Sequence, residues 1–123
     1  MHEFSVASNA VDRIMETARK RGAKRIREVE ILLGELSLLG EDQFLFWMKE
    51  MLRTKGDIAQ DVKIGLKHSP VVIKCNHCGY EGNVRVKDAN HFYPVFNCPS
   101  CNQSDLQIEK GRECVLSKIQ IQT

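Results

Sequence analysis

Two Cys-x-x-Cys hooks carry the clearest chemistry in this chain: Cys75-Asn76-His77-Cys78 and Cys98-Pro99-Ser100-Cys101. Nineteen residues, 79–97, separate them, the spacing of a four-cysteine zinc site. Each hook presents two thiolates from one tight turn, as two edges of a tetrahedron require. The intervening segment, including residues 81–87, can return as a short hairpin and bring the hooks together. Four thiolates with no histidine argue for a closed, structural site, because a catalytic zinc keeps a position for water. The alternatives are two disulfides or a redox Cys-x-x-Cys pair. A redox pair would use one hook and leave the other without a role.

The second constellation is the start of the chain. An α-amine at Met1, the backbone nitrogen of His2 and its imidazole can chelate one metal in fused rings, and Glu3 could add an oxygen. An amide gives up its proton readily only to Cu²⁺ or Ni²⁺, which favour planar nitrogen sites. A bulky second residue should also protect Met1 from removal. Taken alone, a histidine at position 2 is read as a mobile terminal residue.

The 123 residues allow one ordinary domain, or a small domain plus a smaller metal-stapled one. With 42% hydrophobic and 28% charged residues the composition is that of a soluble globular protein. A net charge of +2 is too small to argue for nucleic acid. No apolar run reaches membrane-spanning length, and residues 1–5 have neither the basic nor the apolar region of a secretory signal. Five cysteines with four on one metal point to a reducing compartment, hence the cytoplasm. No G-x-x-x-x-G-K-[ST] loop and no catalytic triad is apparent, so the chain reads as non-enzymatic.

The positioning elements follow from periodicity. Ala7, Ala10, Val11, Ile14, Met15 and Ala18 predict a helix over 4–21, stopped at Gly22. Val29, Ile31 and Leu33 alternate in a strand over 24–33, and a linking segment, 35–40, is expected to lie across the core. A second helix, 41–53, buries Phe44, Leu45, Met48, Met51 and Leu52 beside a partly exposed Trp47. A strand over 61–67 follows, then 71–73 leading into the first hook after Pro70. Residues 80–87 and 92–97 are expected ribbon strands, with Gln107 and Ile108 closing the small domain. In the final strand, 114–121, alternation sets Val115, Ser117, Ile119 and Ile121 on one face and Cys114, Leu116 and Lys118 on the other. Cys114 reads as a small buried apolar residue. The expected fold is α+β: a three-stranded mixed sheet with two helices, plus an inserted four-cysteine zinc-ribbon domain. The expected domains are 1–68 plus 111–123, and 69–110.

Two further stretches invite a binding role. Arg19 to Arg27 holds six Lys or Arg residues and no acid. It reads as a solvated face with helix-end complementarity, since Asp12, Glu16, Glu28 and Glu30 share its elements. Phe92, Tyr93 and Phe96 read as packing around the ribbon.

As a whole the chain resembles the HypA/HybF family, the nickel metallochaperones of [NiFe]-hydrogenase maturation, in its archaeal-like form. Met1-His2-Glu3-Phe4-Ser5 looks like that family's opening, and Leu33-Gly34-Glu35-Leu36-Ser37 resembles its central Gly-Glu motif. The hooks resemble its zinc site, and the strand from Cys114 resembles its end. The similarity covers essentially the full length. The resemblance implies that Met1 and His2 hold Ni²⁺ with Glu3 as neighbour or further ligand, and that Cys75, Cys78, Cys98 and Cys101 hold structural Zn²⁺. It implies as partners a hydrogenase-maturation GTPase and the [NiFe]-hydrogenase large-subunit precursor; some relatives also serve urease. A homodimer stays open, nucleic acid is disfavoured, and no membrane is involved. Gly40 stands where some relatives carry an acidic residue, with Glu41 and Asp42 next. These two, His77, and His91 in the lengthened segment between the hooks are candidate accessory nickel ligands. The competing function is a zinc-ribbon module that binds protein or nucleic acid.

Overall fold

The computed structural model describes residues 2–37, 39–84 and 97–123. Contacts divide the chain into two compact units. One comprises Met1–Leu32, Leu39–Lys67 and Cys114–Thr123; the other comprises Leu33–Leu38 and His68–Glu113.

The first unit is built on two helices, α1 (Glu3–Lys20) and α2 (Glu41–Arg53). Ala7, Val11, Ile14 and Ala18 recur at helical spacing and are the buried stripe of α1. Arg19 and Lys20 stand in its last turn, where the carbonyl ends favour positive charge. Gly22, at φ 66°, ends it. The Gly22 amide donates to the Arg19 carbonyl at 3.1 Å and the Ala23 amide to the Ala18 carbonyl at 3.0 Å, the two bonds of a Schellman stop. In α2, Phe44, Met48 and Leu52 face inward and Glu41 and Asp42 occupy the first turn. The two helices pack against each other.

Their sheet has the order β2-β1-β6, from β1 (Arg25–Gly34), β2 (Lys63–Ser69) and β6 (Cys114–Gln122). β6 runs antiparallel to β1, while β2 follows β1 through the α2 crossover that parallel neighbours need, so the sheet is mixed. The core joins Ile26, Val29 and Ile31 of β1 to Val11, Ile14, Phe44 and Met48, with Val62, Ile64 and Leu66 packed at its edge.

The final strand departs from simple alternation. Cys114 and Leu116 pack on the core, but so do Ile119 and Ile121, while Ser117 and Lys118 are both exposed. On β1 the same slip separates Ile26 from Val29, with Arg27 and Glu28 both outward. The ladder itself changes step. The Gly34 amide pairs with the Glu113 carbonyl at one end, and the Lys24 amide with the Gln122 carbonyl at the other, one residue out of register. A one-residue slip exchanges the two faces of a strand, which is why Ile119 and Ile121 join Leu116 rather than Val115.

The second unit holds a sheet of order β4-β3-β5, from β3 (Val71–Cys75), β4 (Glu81–Val84) and β5 (Leu106–Lys110). β3 pairs antiparallel with both neighbours, Val71 opposite Val84 and Cys75 opposite Leu106. Its buried core is Leu36, Val71, Ile73 and Val84 with Tyr80, Leu106 and Ile108 against it. Of the expected ribbon strand at 92–97, residues 92–96, with Phe92, Tyr93 and Phe96, lie outside the described residues, as does the end of the other at 85–87; Asn97 is in no strand.

Residues 33–37 go to this second core. Three successive amides, of Gly34, Glu35 and Leu36, donate to the carbonyls of Glu113, Ser69 and Gly111 at 2.7, 3.0 and 2.6 Å. Glu113 draws the acceptor loops together, because its carboxylate accepts the Gly111 amide at 3.0 Å. A hydrogen bond from Ser69, and then that of Gly111, hold this carboxyl below its ordinary range. Gly34 has no room for a side chain: a Cβ there would stand 2.1 Å from the Gly111 carbonyl oxygen. Gly34→Ala therefore forces backbone apart. The expected loss, about 1–3 kcal/mol, is that of overpacking a filled site, read as a lower unfolding midpoint of the second unit in denaturant.

Candidate metal centres

The two hooks fold alike. In the first, the Gly79 amide closes on the Cys75 carbonyl at 3.1 Å; in the second, the Asn102 amide closes on the Cys98 carbonyl at 2.9 Å. Gly79 and Asn102 both take positive φ, 81° and 64°, which turns the chain away after the second cysteine of each hook. Asparagine is the side chain that most readily joins glycine in this region, so Asn102 after Cys101 was the sequence signal for the second turn. The first hook is moored to the start of β5. The Asn76 amide donates to the Asp105 carbonyl at 3.0 Å and its side chain to the Asp105 carboxylate at 3.1 Å.

These turns bring Cys75, Cys78, Cys98 and Cys101 together, all four sulfurs within 4.8 Å of one another. The Cys75–Cys101 and Cys78–Cys98 sulfurs are each 3.6 Å apart. Four sulfurs about 2.3 Å from one tetrahedral ion stand about 3.8 Å apart, so the cluster has the dimensions of a four-cysteine metal centre. None of the five cysteines is paired in a disulfide.

Backbone amides aim at the sulfurs. The His77 amide lies 3.4 Å and the Cys78 amide 3.5 Å from the Cys75 sulfur, and the Ser100 amide 3.4 Å from that of Cys98. The Cys78 amide is the larger influence that lowers the Cys75 thiol to about 6. At Cys98 burial works against ionisation, but the amides of Cys101 and Ser100 outweigh it and the thiol is lowered. Cys101 goes the other way. The Gln103 amide favours its thiolate, yet burial and the three neighbouring sulfurs push it up to about 12. Four adjacent thiolates repel, so the cluster holds protons until a thiophilic dication replaces them. Zinc binding near pH 8 is expected to release at least the Cys101 proton. Titration calorimetry in two buffers of different ionisation enthalpy measures that release.

The N-terminal candidates are arranged differently. Met1 and His91 lie outside the described residues. His2 is exposed and stands just ahead of α1, its side chain making no cap, its carbonyl accepting the Val6 amide at 2.9 Å. Glu3 opens α1, half-buried, and its carboxylate accepts the Gly40 amide at 3.4 Å. Gly40 is the residue before α2, so the start of α2 meets the start of α1 here. A Cβ at Gly40 would stand 2.2 Å from Oε1 of Gln43, the movable end of that side chain. Gly40, which stands where some relatives carry an acidic residue, gives its amide to Glu3. Glu41 and Asp42 follow it, exposed. Phe4 meets Trp47 edge-on at 4.9 Å beside this end. His77 is exposed within the first hook of the second unit.

Other candidates lie elsewhere in the first unit. Cys114 is half-buried against the first core, and burial raises its thiol. The six cations from Arg19 to Arg27 are all exposed. Lys20 pairs with Glu16 at 3.1 Å and Arg27 donates to Gln122, as on a solvated face. Among the described residues no helix is long and apolar enough to cross a membrane.

Comparison with known proteins bears on the whole chain. A family model described as "Hydrogenase/urease nickel incorporation, metallochaperone, hypA" matches residues 1–121. The hydrogenase maturation factor HypA of Methanothermobacter thermautotrophicus is 35% identical over 122 residues, covering 99% of this chain and 98% of that protein. The corresponding factor of Pyrococcus furiosus is 33% identical over 136 aligned positions, covering 99% and 96%. In fold, the chain is similar to the solution structure of the Ni metallochaperone HypA from Helicobacter pylori, with a TM-score of 0.70 and 24% identity over 98% of this chain and 97% of that one. The family is one of metallochaperones rather than catalysts. With nearly every residue matched and a four-cysteine centre in the second unit, the chain belongs to the HypA family of hydrogenase and urease nickel incorporation proteins.

Proposed function

We propose that this chain captures Ni²⁺ at its N-terminus and delivers it during [NiFe]-hydrogenase maturation, while Cys75, Cys78, Cys98 and Cys101 hold a structural Zn²⁺. The observation that carries this reading is the family match over residues 1–121. The local chemistry supports it. With Met1 as the free amine, the amine, the His2 backbone nitrogen and the His2 imidazole form two fused chelate rings. The first amides of a helix have no intrahelical acceptor, so the His2 amide can surrender its proton without breaking α1. A helix N-terminus repels a bare cation. The ionised His2 amide and the Glu3 carboxylate together offset the two charges of Ni²⁺, and the Gly40 amide orients that carboxylate.

A terminal chelate suits a carrier. Its ligands can leave one at a time as an acceptor's ligands replace them, which a buried cage would prevent. The chain needs no chemical transition state for this. Nucleotide hydrolysis falls to the partner GTPase, and the acceptor is the hydrogenase large-subunit precursor. Zinc supplies folding energy to the second unit and no open coordination position.

The test is transfer. Nickel-loaded protein is mixed with nickel-free large-subunit precursor, with and without the GTPase and GTP, and each component is separated for metal analysis. Nickel is expected to move to the precursor faster than from the same total of free Ni²⁺ held by a small-molecule buffer. Nickel that stays on the chain, or buffered Ni²⁺ that loads the precursor equally fast, would overturn the carrier reading.

A further inference from the structure

We propose that the outer edge of β6, with the groove between it and α1, is a docking site for an extended acidic segment of a partner protein, which joins the sheet as a fourth strand. β6 ends the order β2-β1-β6, and among the described residues no strand pairs with its other side. The Glu113 carbonyl, just ahead of β6, accepts the Gly34 amide of β1 at 2.7 Å. Four residues on, the Ser117 hydroxyl donates to the Glu30 carbonyl at 3.1 Å, so the phase set at Glu113 holds to Ser117. Backbone groups alternate sides along a strand. Val115 therefore turns its amide and carbonyl to β1, and Cys114 and Leu116 turn theirs outward, where an added strand can pair. Such edges are commonly blunted by charge or proline. Residues 114–117 have neither, and Lys118, the one charge on β6, comes after them. Val115 on this stretch is 46% exposed.

The groove sets the chemistry of the occupant. Its volume is about 390 Å³, with Val6 and Ala10 of α1, Ile31 of β1 and Leu116 as its apolar lining. Asn9 and Arg13, four residues apart on α1 and both exposed, are its polar side. A residue placed opposite Leu116 shares its face of the sheet, so its side chain enters the groove. Residues two apart on the incoming strand share that face, so an apolar side chain fills the groove while an acidic neighbour on the same face is offered to Arg13. Arg13 is the only charged residue in the lining. Among the described residues it makes no ion pair, and Glu16, on the same helix, is held by Lys20 at 3.1 Å. A guanidinium matches a carboxylate in charge and in its paired donors. Main-chain pairing then supplies affinity, and the groove with Arg13 supplies selectivity.

The test needs no nickel, so it stands apart from the carrier reading. A displayed library of random linear peptides is selected on the zinc-loaded full chain, and in parallel on Arg13→Glu and Arg13→Gln. Wild type is expected to enrich peptides with an acid two residues from a Val, Ile or Leu. Arg13→Glu should replace that acid with Lys or Arg, and Arg13→Gln, which keeps the test open should the charge reversal disturb α1, should lose the preference. The most enriched wild-type peptide is then made synthetically. It should slow amide hydrogen exchange at Cys114 and Leu116, and methylating its alternate backbone amides should abolish that protection. Arg13→Glu should weaken it by about tenfold or more, the effect of losing a hydrogen bond between charged groups. No enriched sequence, unchanged exchange at Cys114 and Leu116, or the same acid preference on all three proteins would overturn the proposal. Protection of these amides that rises with protein concentration in the absence of peptide would assign the edge to a second copy of this chain and overturn the partner reading.

Discussion

Replacing His2 with alanine should abolish nickel capture while leaving zinc content and fold unchanged. The substitution removes one of three nitrogens from a fused-ring chelate, and with it one of the two rings. Loss of groups that merely support a ligand typically costs about 10–100-fold in metal affinity, so loss of the ligand itself should exceed about 100-fold. The fold should not notice, because His2 is exposed and its side chain caps nothing; such surface changes stay within about 0.5 kcal/mol. Titration calorimetry with NiCl₂ and a thermal melt of the same samples separate the two effects. Glu3→Gln should weaken binding by far less. The amide keeps an oxygen for the Gly40 donor but gives up the charge that offsets the metal.

Cys98→Ser should do the opposite: lose the zinc, unfold the second unit and leave the first unit folded. Cys98 is 2% exposed, and the buried core of this unit among the described residues is Leu36, Val71, Ile73 and Val84. Structural zinc supplies about 10–16 kcal/mol to small domains at neutral pH, comparable with the whole stability of an ordinary one, about 5–15 kcal/mol. The first unit has its own core on Phe44, Met48, Ile14 and Ile31. Its amide signals should stay dispersed while those of β3, β4 and β5 collapse. Metal analysis should find no zinc where the parent protein holds one equivalent. A variant that keeps one zinc and dispersed β3 signals would refute the structural role given to the cluster.

How much of this was legible from sequence depended on the range of the interactions. The helices were readable because their information is local: Ala7, Val11, Ile14 and Ala18 mark one face, and Gly22 marks the stop. The hooks were equally plain, since a Cys-x-x-Cys turn needs only its own residues and the positive-φ residue after it. The phase of β6 was not. Ile119 and Ile121 change sides because the β1–β6 ladder slips by one residue, and a slip is a property of two strands that no single strand records. The destination of Leu36 was hidden for the same reason. An apolar residue in a connecting segment says that it will be buried, but not in which core. Gly34 carried a trace of the answer, since a glycine at a strand end can mark a close backbone approach, here to the Gly111 carbonyl. At the N-terminus, the residue types pointed to His2 and Glu3. The Gly40 amide that meets Glu3 could not be read, because a backbone donor leaves no signature in side-chain chemistry.

The most direct test of the nickel account is a NiCl₂ titration of zinc-loaded protein that begins at Met1, beside a version extended by three N-terminal glycines. The extension keeps His2, Glu3 and every cysteine, but moves the free amine three residues away, too far to share fused chelate rings with the His2 imidazole. The account predicts near-stoichiometric nickel binding by the native start, loss of that binding on extension, and one zinc retained in both. Equal nickel binding by the two proteins would contradict it and remove the N-terminal chelate as the site of capture.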